Sequence, residues 1–405
     1  MGNKFILRSL SSWVLLISLG CVCEAQAPRV FSLNATTLQL SKQKLTDPKN
    51  PDPSFKQALA KLERDAQKAL TTEVPPVTAK TALPPSGDKH DYMSQAPYFW
   101  KNPNTKDGLP YIRKDGERNP EIKNFPDHGS MDLLGATIDR LATAYYFTGK
   151  EEYAVRATEL LRMWFLDPKT LMHPNLEYAQ AVPGVNEGRG TGILESRALT
   201  RVVDGIGLLN GSRSWTKADQ AGLEAWFTKY YDWITTSKHG KDEAAAKNNH
   251  GTWYDVQTTS FALFIGKTED ARKILETAKQ KRIAAQIEPD GKLPLELART
   301  NSWGYSTMDL DGLTQLADLG DRVGVDLWNF QTADGRSIRK AIEFLYPFAK
   351  ESKKWPYQQI DEFLPEKLYL VMRRAAIKYR DDKFNAMMAS VPAVEIDDKR
   401  QILGN

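Results

Sequence analysis

Cysteine is nearly absent from this chain of 405 residues. The sequence contains two, Cys21 and Cys23, and both lie close to the amino terminus. The rest of the chain therefore offers no thiol for a disulfide, a thiolate nucleophile or a cysteine metal site. A chain of this length tolerates the lack of disulfides, because it can bury a large core without covalent help.

Long apolar runs are equally scarce. The one prominent run covers residues 13–19, follows the cationic side chains of Lys4 and Arg8, and precedes the sequence Ala-Gln-Ala at 25–27. Basic residues, a short apolar stretch and a small-x-small end are the three parts of a signal peptide. The run is too short to span a bilayer. The pattern predicts an export signal at residues 1–27.

Removal of this signal leaves one domain at residues 28–405, and we expect a periplasmic location without a transmembrane span. An alternative is lipid anchoring at Cys21, because residues 18–21 loosely resemble a lipobox. That tetrapeptide lacks leucine at its leading position.

Excess charge is a further feature that the chain lacks, since its formal net charge is only +4. So weak an excess does not predict a nucleic-acid partner. A nearly balanced surface can still focus positive potential inside one cleft, so an anionic polysaccharide is compatible with it. Acidic pairs at Asp381-Asp382 and Asp397-Asp398 indicate a solvated tail. We therefore predict no metal site and no cofactor.

Alternating strand patterns are few, whereas helical periodicity dominates from residue 130 onward. Leu134, Ile138, Leu141 and Tyr145, for example, recur on one helical face. The periodic stretches predict roughly ten to fourteen helices, joined by short turns such as the one at Gly149. With no linker dividing the chain, we expect an all-α single domain, an (α/α) toroid built of helical hairpins.

Two details of helix ends can also be predicted. Thr216 and Asp219 have the spacing of a capping box at a helix start. Another amphipathic run begins near Thr307.

Two long segments, 86–128 and 173–192, do not follow the helical pattern and are rich in aromatic, amide and glycine residues. Long irregular segments in a compact domain commonly form binding sites. We predict that they form the rim of a site in which aromatic rings stack on sugars and polar groups hold hydroxyls or carboxylates. The candidate substrate-binding residues here are Tyr98, Trp100, Arg113, Tyr178, Gln180 and Arg189.

Residues 248–253 and 299–305 together carry an amide, an imidazole, a guanidinium and a phenol. These groups suit β-elimination at a 4-linked uronate, in which a base removes the C5 proton and an acid protonates the departing O4. The C5 proton is weakly acidic, so the charge that develops on the carboxylate must be neutralised. The candidate catalytic residues are Asn249, His250, Arg299 and Tyr305, with Asn248 and Trp253 as further substrate contacts.

The chemistry of each group predicts its role. Asn249 and Arg299 neutralise the carboxylate, while Tyr305 serves as base and acid if nearby cations lower its pKa from about 10. His250 has two possible roles, which the sequence leaves open. It acts either as a base from the opposite face of the sugar ring, or as a donor that holds the carboxylate and keeps Tyr305 acidic.

At these residues the chain resembles the alginate lyase superfamily with an α/α toroid fold, whose members share an Asn-His pair and a downstream Arg and Tyr. The similarity extends over about 85–350 and is greatest to polysaccharide lyase family 38, a relative of family 5. Further similar stretches lie at 96–100, 108–113, 175–181, 188–193 and 293–299.

The resemblance implies tyrosine-dependent elimination without an obligatory metal, and an active site in a groove or tunnel. It also implies endolytic cleavage of mannuronate-rich alginate to give 4,5-unsaturated ends. Glucuronan is an alternative substrate, because family 38 includes members that cleave it.

Two rival functions remain. A glycoside hydrolase on a similar α/α barrel would need two carboxylates across a sugar bond, and the available ones are Asp255, Glu187, Glu195 and Glu296. A non-catalytic glycan-binding lipoprotein would need the aromatic platform but neither His250 nor Tyr305. The sequence does not determine the oligomeric state.

Overall fold

The computed structural model describes residues 27–47, 53–350 and 352–390. Nearly all of the predicted export signal, with Cys21, lies outside the described residues, as does the acidic pair Asp397-Asp398. The domain boundary behind residue 27 therefore stays a prediction. No helix in the described part of the chain is both long and apolar enough to cross a membrane.

Helices make up most of the described residues. The α-helices are α1 (Ala35–Thr46), α2 (Pro53–Leu70), α3 (Asp127–Thr148), α4 (Glu151–Phe165), α5 (Ala198–Leu208), α6 (Lys217–Thr236), α7 (Lys238–Ala244), α8 (Asn249–Phe264), α9 (Thr268–Ala278), α10 (Pro294–Leu297), α11 (Ser302–Val323), α12 (Ile338–Ala349), α13 (Tyr369–Tyr379) and α14 (Asp382–Ser390). Short 3-10 helices lie at Val77–Ala79, Pro120–Asn124, Gly190–Arg197 and Pro365–Leu368, and a π-helical turn lies at Lys279–Ala284.

Helices α3, α5, α8, α11 and α13 surround one central cavity. Helices α4, α6 and α9 pack on the outside of this inner set. The predicted apolar face of α3 packs as expected, since Leu134, Ile138 and Leu141 are fully buried. Apolar faces pressed against neighbouring helices supply most of the stability of such a bundle. The predicted all-α toroid is confirmed.

The helix ends agree with the sequence in one case and differ in another. Thr216 and Asp219 form the predicted capping box at the start of α6. Helix α11, however, begins at Ser302 rather than near Thr307, so Tyr305 lies in its first turn. The predicted start was wrong because Ser302, Gly304 and Ser306 weaken the apolar period at the beginning of the helix.

The two irregular segments form the four short strands, β1 (Met93–Gln95), β2 (Phe99–Trp100), β3 (Ile112–Arg113) and β4 (Tyr178–Ala181). Strand β1 pairs in parallel with β4, which joins the first segment to the second. Strands β2 and β3 pair antiparallel, with Phe99 opposite Arg113. These pairings bring the two segments together at the end of the toroid where α3, α8 and α11 begin.

The opposite end of the toroid is covered by residues 29–33. The carboxylate of Asp204 on α5 accepts from the backbone amides of three of them, including Leu33 at 2.9 Å. Arg322 on α11 donates to the carbonyl oxygens of Phe31 and Leu33. Arg29 donates to the last carbonyls of α8, at 2.7 Å from that of Phe264. This segment thus connects the carboxyl ends of three inner helices, where cations are favourable.

One buried guanidinium fixes the start of α8. Arg282, in the π-helical turn, is fully buried and bonds both oxygens of Asp255 at 2.7 and 3.1 Å. It also donates to the carbonyls of Ala244 and Ala246 at the end of α7. A Cβ on Gly251 would lie 2.2 Å from this guanidinium, so the close approach requires glycine. Helices α7 and α8 are therefore joined through Arg282.

We expect Arg282→Met to lower the free energy of unfolding by about 3–5 kcal/mol, because it leaves the Asp255 carboxylate buried without its partner. Urea denaturation followed by circular dichroism measures this loss. A suitable control is Lys279→Met, which removes a partly exposed pair with Glu276 and should change stability by less than about 0.5 kcal/mol. Equal effects of the two substitutions would contradict the anchoring role.

Candidate active site

Tyr305 faces the rim of the toroid, in contact with two of the predicted site residues. Its hydroxyl lies 2.7 Å from the hydroxyl of Tyr98, which precedes β2. The guanidinium of Arg299 lies over its ring, 3.7 Å from the ring centroid. The structure thus brings Tyr98, Arg299 and Tyr305 together, as the sequence predicted for the last two.

The expected lowering of the Tyr305 pKa is not what the structure shows. Burial raises this pKa above its usual value of about 10, and the hydrogen bond with Tyr98 adds to the rise. The positive charge of Arg299 opposes these effects without overcoming them. The prediction was wrong because residue order does not reveal how deeply a side chain is buried. Tyr305 therefore holds its proton through the neutral pH range.

Arg299 is held from behind by a carboxylate that the sequence did not single out. Asp115 accepts from its Nε at 3.0 Å and from its Nη2 at 2.7 Å, and also bonds Thr300. Although burial alone would raise it, the bonds from Arg299 and Thr300 hold the pKa of Asp115 well below its usual value. Asp115 also pairs with Arg113 at 2.6 Å. It lies two residues beyond Arg113, and its position in the first irregular segment was the only sequence signal for it.

Asn249, the first residue of α8, is fully buried. Its side-chain Nδ2 donates to both oxygens of Glu296, at 2.9 and 2.8 Å, and its backbone amide donates to one of them at 2.7 Å. Its Oδ1 has no hydrogen-bond partner among the described residues. Burial raises the pKa of Glu296, while the bonds from Asn249 oppose the rise. Asn249 therefore ties α8 to Glu296 on α10, and Glu296 lies three residues before Arg299 in the sequence.

His250 is held by a second buried carboxylate. Its Nδ1 lies 2.7 Å from Oε1 of Glu243, whose side chain is 2% exposed. An ionised carboxylate only accepts, so Nδ1 carries a proton, and in the neutral form of the imidazole the lone pair lies on Nε2. Nothing in the sequence around Glu243, on the exposed-looking helix α7, pointed to this role.

The remaining rim residues lie close to β2 and β4. Gln180 accepts from Arg189 at 2.8 Å and adopts a left-handed backbone with φ of 50°. The guanidinium of Arg189 stacks over Phe99 at 4.9 Å, and burial lowers its pKa. Trp100 donates to the carbonyl of Glu117 at 3.0 Å. Arg113 is exposed and Tyr178 is half-buried.

Asn248 and Trp253 flank the catalytic candidates on α8. Asn248 is the half-buried residue before the helix, and its carbonyl accepts from Gly251. Trp253 is 6% exposed and donates to the carbonyl of Met308 at 3.0 Å. It packs α8 against α11, and its remaining surface lines the central cavity.

The carboxylates required for the rival hydrolase are mostly engaged within the protein. Asp255 binds Arg282, Glu195 accepts from Tyr92 and Ser94 at 2.6 Å each, and Glu296 binds Asn249. Glu187 is exposed on the second irregular segment. Within the described ranges, no cluster of three or more His, Cys, Asp or Glu side chains could hold a metal ion.

An α/α toroid with an imidazole, a guanidinium and a phenol at one end defines a class, the toroid polysaccharide lyases. Residues 76–355 match the family model described as alginate lyase. The chain belongs to the alginate lyase family and is a polysaccharide lyase. The match does not separate family 38 from its relatives, so that assignment stays a prediction.

Solved structures agree with this family. An alginate lyase from Bacteroides ovatus is 39% identical, with a TM-score of 0.87 over 93% of this chain and 99% of that chain. Alginate lyase A1-III from Sphingomonas species A1 shares the fold at 18% identity, with a TM-score of 0.57 over 93% and 94% of the two chains. A histidine-to-alanine variant of A1-III complexed with tetrasaccharide has 17% identity and a TM-score of 0.54, over 89% and 90% of the chains. Comparison with curated proteins gives no match.

The Asp115 carboxylate should stabilise the folded protein. We expect Asp115→Asn to lower the free energy of unfolding at pH 7 by about 1–3 kcal/mol, the value of hydrogen bonds to a charged group. Because folding depresses the pKa of Asp115, this contribution is fully present above about pH 4 and is lost progressively as the pH falls from there towards the lower pKa of the folded state. Denaturant unfolding at pH 7 and pH 3 measures both effects.

The control for this comparison is Asp290→Asn, which breaks an exposed pair with Lys292 and should cost less than about 0.5 kcal/mol. A difference between wild type and Asp115→Asn that persists unchanged at pH 3 would contradict the proposed source of the stability.

Proposed function

We propose that this protein cleaves alginate by β-elimination and leaves 4,5-unsaturated uronate ends. Membership of the alginate lyase family and 39% identity to an alginate lyase over 93% of the chain support the substrate. The observation that carries the mechanism is the cluster in which Tyr305 contacts Tyr98 and Arg299, while a carboxylate holds His250. In line with the sequence, we also propose export to the periplasm and a preference for mannuronate.

The stereochemistry of the two alginate sugars assigns the proton transfers. In mannuronate the C5 proton and O4 lie on the same face of the ring, so one group, Tyr305, can take the proton and return it to O4. In guluronate they lie on opposite faces, so a second group must act as base. In the neutral form of His250, Nε2 has the required lone pair because Glu243 holds the proton on Nδ1. Tyr305 then acts only as the acid.

Arg299 is the proposed neutraliser of the substrate carboxylate. Its Nε and Nη2 bind Asp115, while its Nη1 donates to none of the described residues. A guanidinium fixed in this way needs no reorganisation when charge develops on the carboxylate. Asn249 is committed to Glu296 in this structure, so we assign it chiefly to positioning α8 and His250.

Substituting the two proposed proton carriers tests the function directly. We expect Tyr305→Phe to lower kcat on polymannuronate and polyguluronate by about 100- to 10,000-fold, the usual contribution of a general acid or base. His250→Ala should cause a loss of this size on polyguluronate and a loss of less than about tenfold on polymannuronate. Absorbance of the unsaturated ends measures both.

A matched control is Tyr346→Phe, whose hydroxyl bonds Ser390 on α14 and which should retain wild-type rates. Equal losses on both polymers from His250→Ala would favour the alternative in which His250 donates to the carboxylate. Release of reducing ends without ultraviolet absorbance would indicate hydrolysis and contradict the proposal, while cleavage of glucuronan alone would change the substrate.

The pH dependence follows from the raised pKa of Tyr305. On polymannuronate, Tyr305 must first lose its proton, so kcat/KM should rise about tenfold per pH unit from neutral pH into the alkaline range. On polyguluronate, the phenol is needed in its protonated form, so the same rise should be absent. Rates measured on both polymers from pH 6 to 10 compare the profiles. Two superimposable profiles would contradict the division of roles.

A further inference from the structure

The central cavity of the toroid extends well beyond the proposed catalytic groups. Its volume is about 810 Å³, within the range of about 300–1,000 Å³ that is usual for ligand sites. Along α11 it runs from Gly304, the neighbour of Tyr305, to Gln315, about 16 Å deeper at the rise of an α-helix. Its far end reaches Ser32, in the segment that covers the other end of the toroid.

Cations dominate the walls of this cavity. Five cationic side chains line it against two carboxylates, those of Asp132 and Asp311. The cations are Arg140, Arg197, Arg201, Lys367 and Arg374.

Both carboxylates already have partners. Asp311 lies 2.5 Å from Arg374, and Asp132 lies 3.3 Å from His128 near the rim. Asp132 also attracts Arg197 and Arg201, and Asp311 attracts Arg197, but neither carboxylate forms a direct ion pair with them.

Three of the guanidiniums are not neutralised by an ion pair. Among the described residues, no carboxylate lies within 4 Å of the guanidinium of Arg140, Arg197 or Arg201, and Arg140 and Arg201 form no hydrogen bond there either. Arg197 and Arg201 lie one helical turn apart and so present adjacent positive charges. Arg197 also contacts the ring of Trp253, 5.8 Å from its centroid. A half-enclosed wall with an excess of positive charge, and with three guanidiniums outside any direct ion pair, is a site for an anion.

We propose that this axial cavity binds the carboxylates of uronate residues on one side of the cleaved bond, with Arg140 and Arg201 as their partners. The inference rests on the proposed function. A polyuronate carries one carboxylate per sugar, so a chain entering past Gly304 and Trp253 would present a series of anions along the axis. Guanidinium and carboxylate groups pair through two parallel hydrogen bonds, which suits the unpaired arginines.

The test is calorimetric binding of a mannuronate tetrasaccharide to protein carrying Tyr305→Phe, which prevents cleavage. We expect Arg140→Gln with Arg201→Gln to weaken binding at least tenfold. Arg140→Lys with Arg201→Lys keeps both charges but loses the two parallel hydrogen bonds, so it should bind more weakly than the parent and at least about threefold more tightly than the glutamine variant. Lys229→Gln removes an exposed charge on α6 and should change nothing. Neutral mannotetraose should not distinguish these proteins.

The outcomes separate this proposal from the function on which it rests. Unchanged tetrasaccharide affinity in the double glutamine variant would overturn the cavity site and leave the lyase function intact. The same holds if the Tyr305→Phe protein fails to bind tetrasaccharide while wild type still releases unsaturated ends from polymer. If wild type also releases none, both proposals fail. A tenfold loss that the lysine variant partly restores supports the site and excludes misfolding as its cause.

Discussion

The position of the start of α8 is the constraint on which the site depends, and Arg282 imposes it. This guanidinium is fully buried and bonds Asp255 together with two carbonyls at the end of α7. An uncompensated charge at that depth would cost several kcal/mol, so the four groups must stay together. Because Gly251 lies against the same guanidinium, the backbone directly after His250 is fixed as well. A network far from solvent thus determines where the imidazole lies.

The same device recurs at three of the four candidate catalytic residues, since each of these three is held from behind by a carboxylate. Asp115 holds Arg299, Glu243 holds His250, and Glu296 holds Asn249. Buried carboxylates are costly, but fully bonded ones keep a donor or base in one orientation. Such preorganisation reduces the rearrangement required when charge appears on the substrate. Tyr305 is the exception, because it contacts Tyr98 and Arg299 and has no carboxylate of its own.

Most of the features that could be predicted from the sequence were predicted from helical periodicity and from local motifs. The apolar spacing in α3 predicted a buried face. The amide, imidazole, guanidinium and phenol side chains within 249–250 and 299–305 indicated β-elimination. The carboxylates of Asp115, Glu243 and Glu296, which hold the catalytic candidates, could not be assigned this role from periodicity or local motifs. Asp115 lies 184 residues before Arg299, and no local pattern signals a contact between such distant segments. The direction in which the pKa of Tyr305 shifts was predicted wrongly for a related reason. Burial, which raises this pKa, depends on how the whole chain packs.

The contrast between two kinds of arginine argues that the central cavity is shaped for a ligand. Arg282 and Arg374 are buried and paired, as expected of guanidiniums that stabilise a fold. Arg140 and Arg201 line a cavity without a counter-charge within 4 Å, and Arg197 adds a like charge one turn from Arg201. Adjacent like charges destabilise a helix, so stability alone does not account for them. An anionic chain inside the toroid would add direct partners for these guanidiniums, and Asp132 attracts Arg197 and Arg201 only from a greater distance.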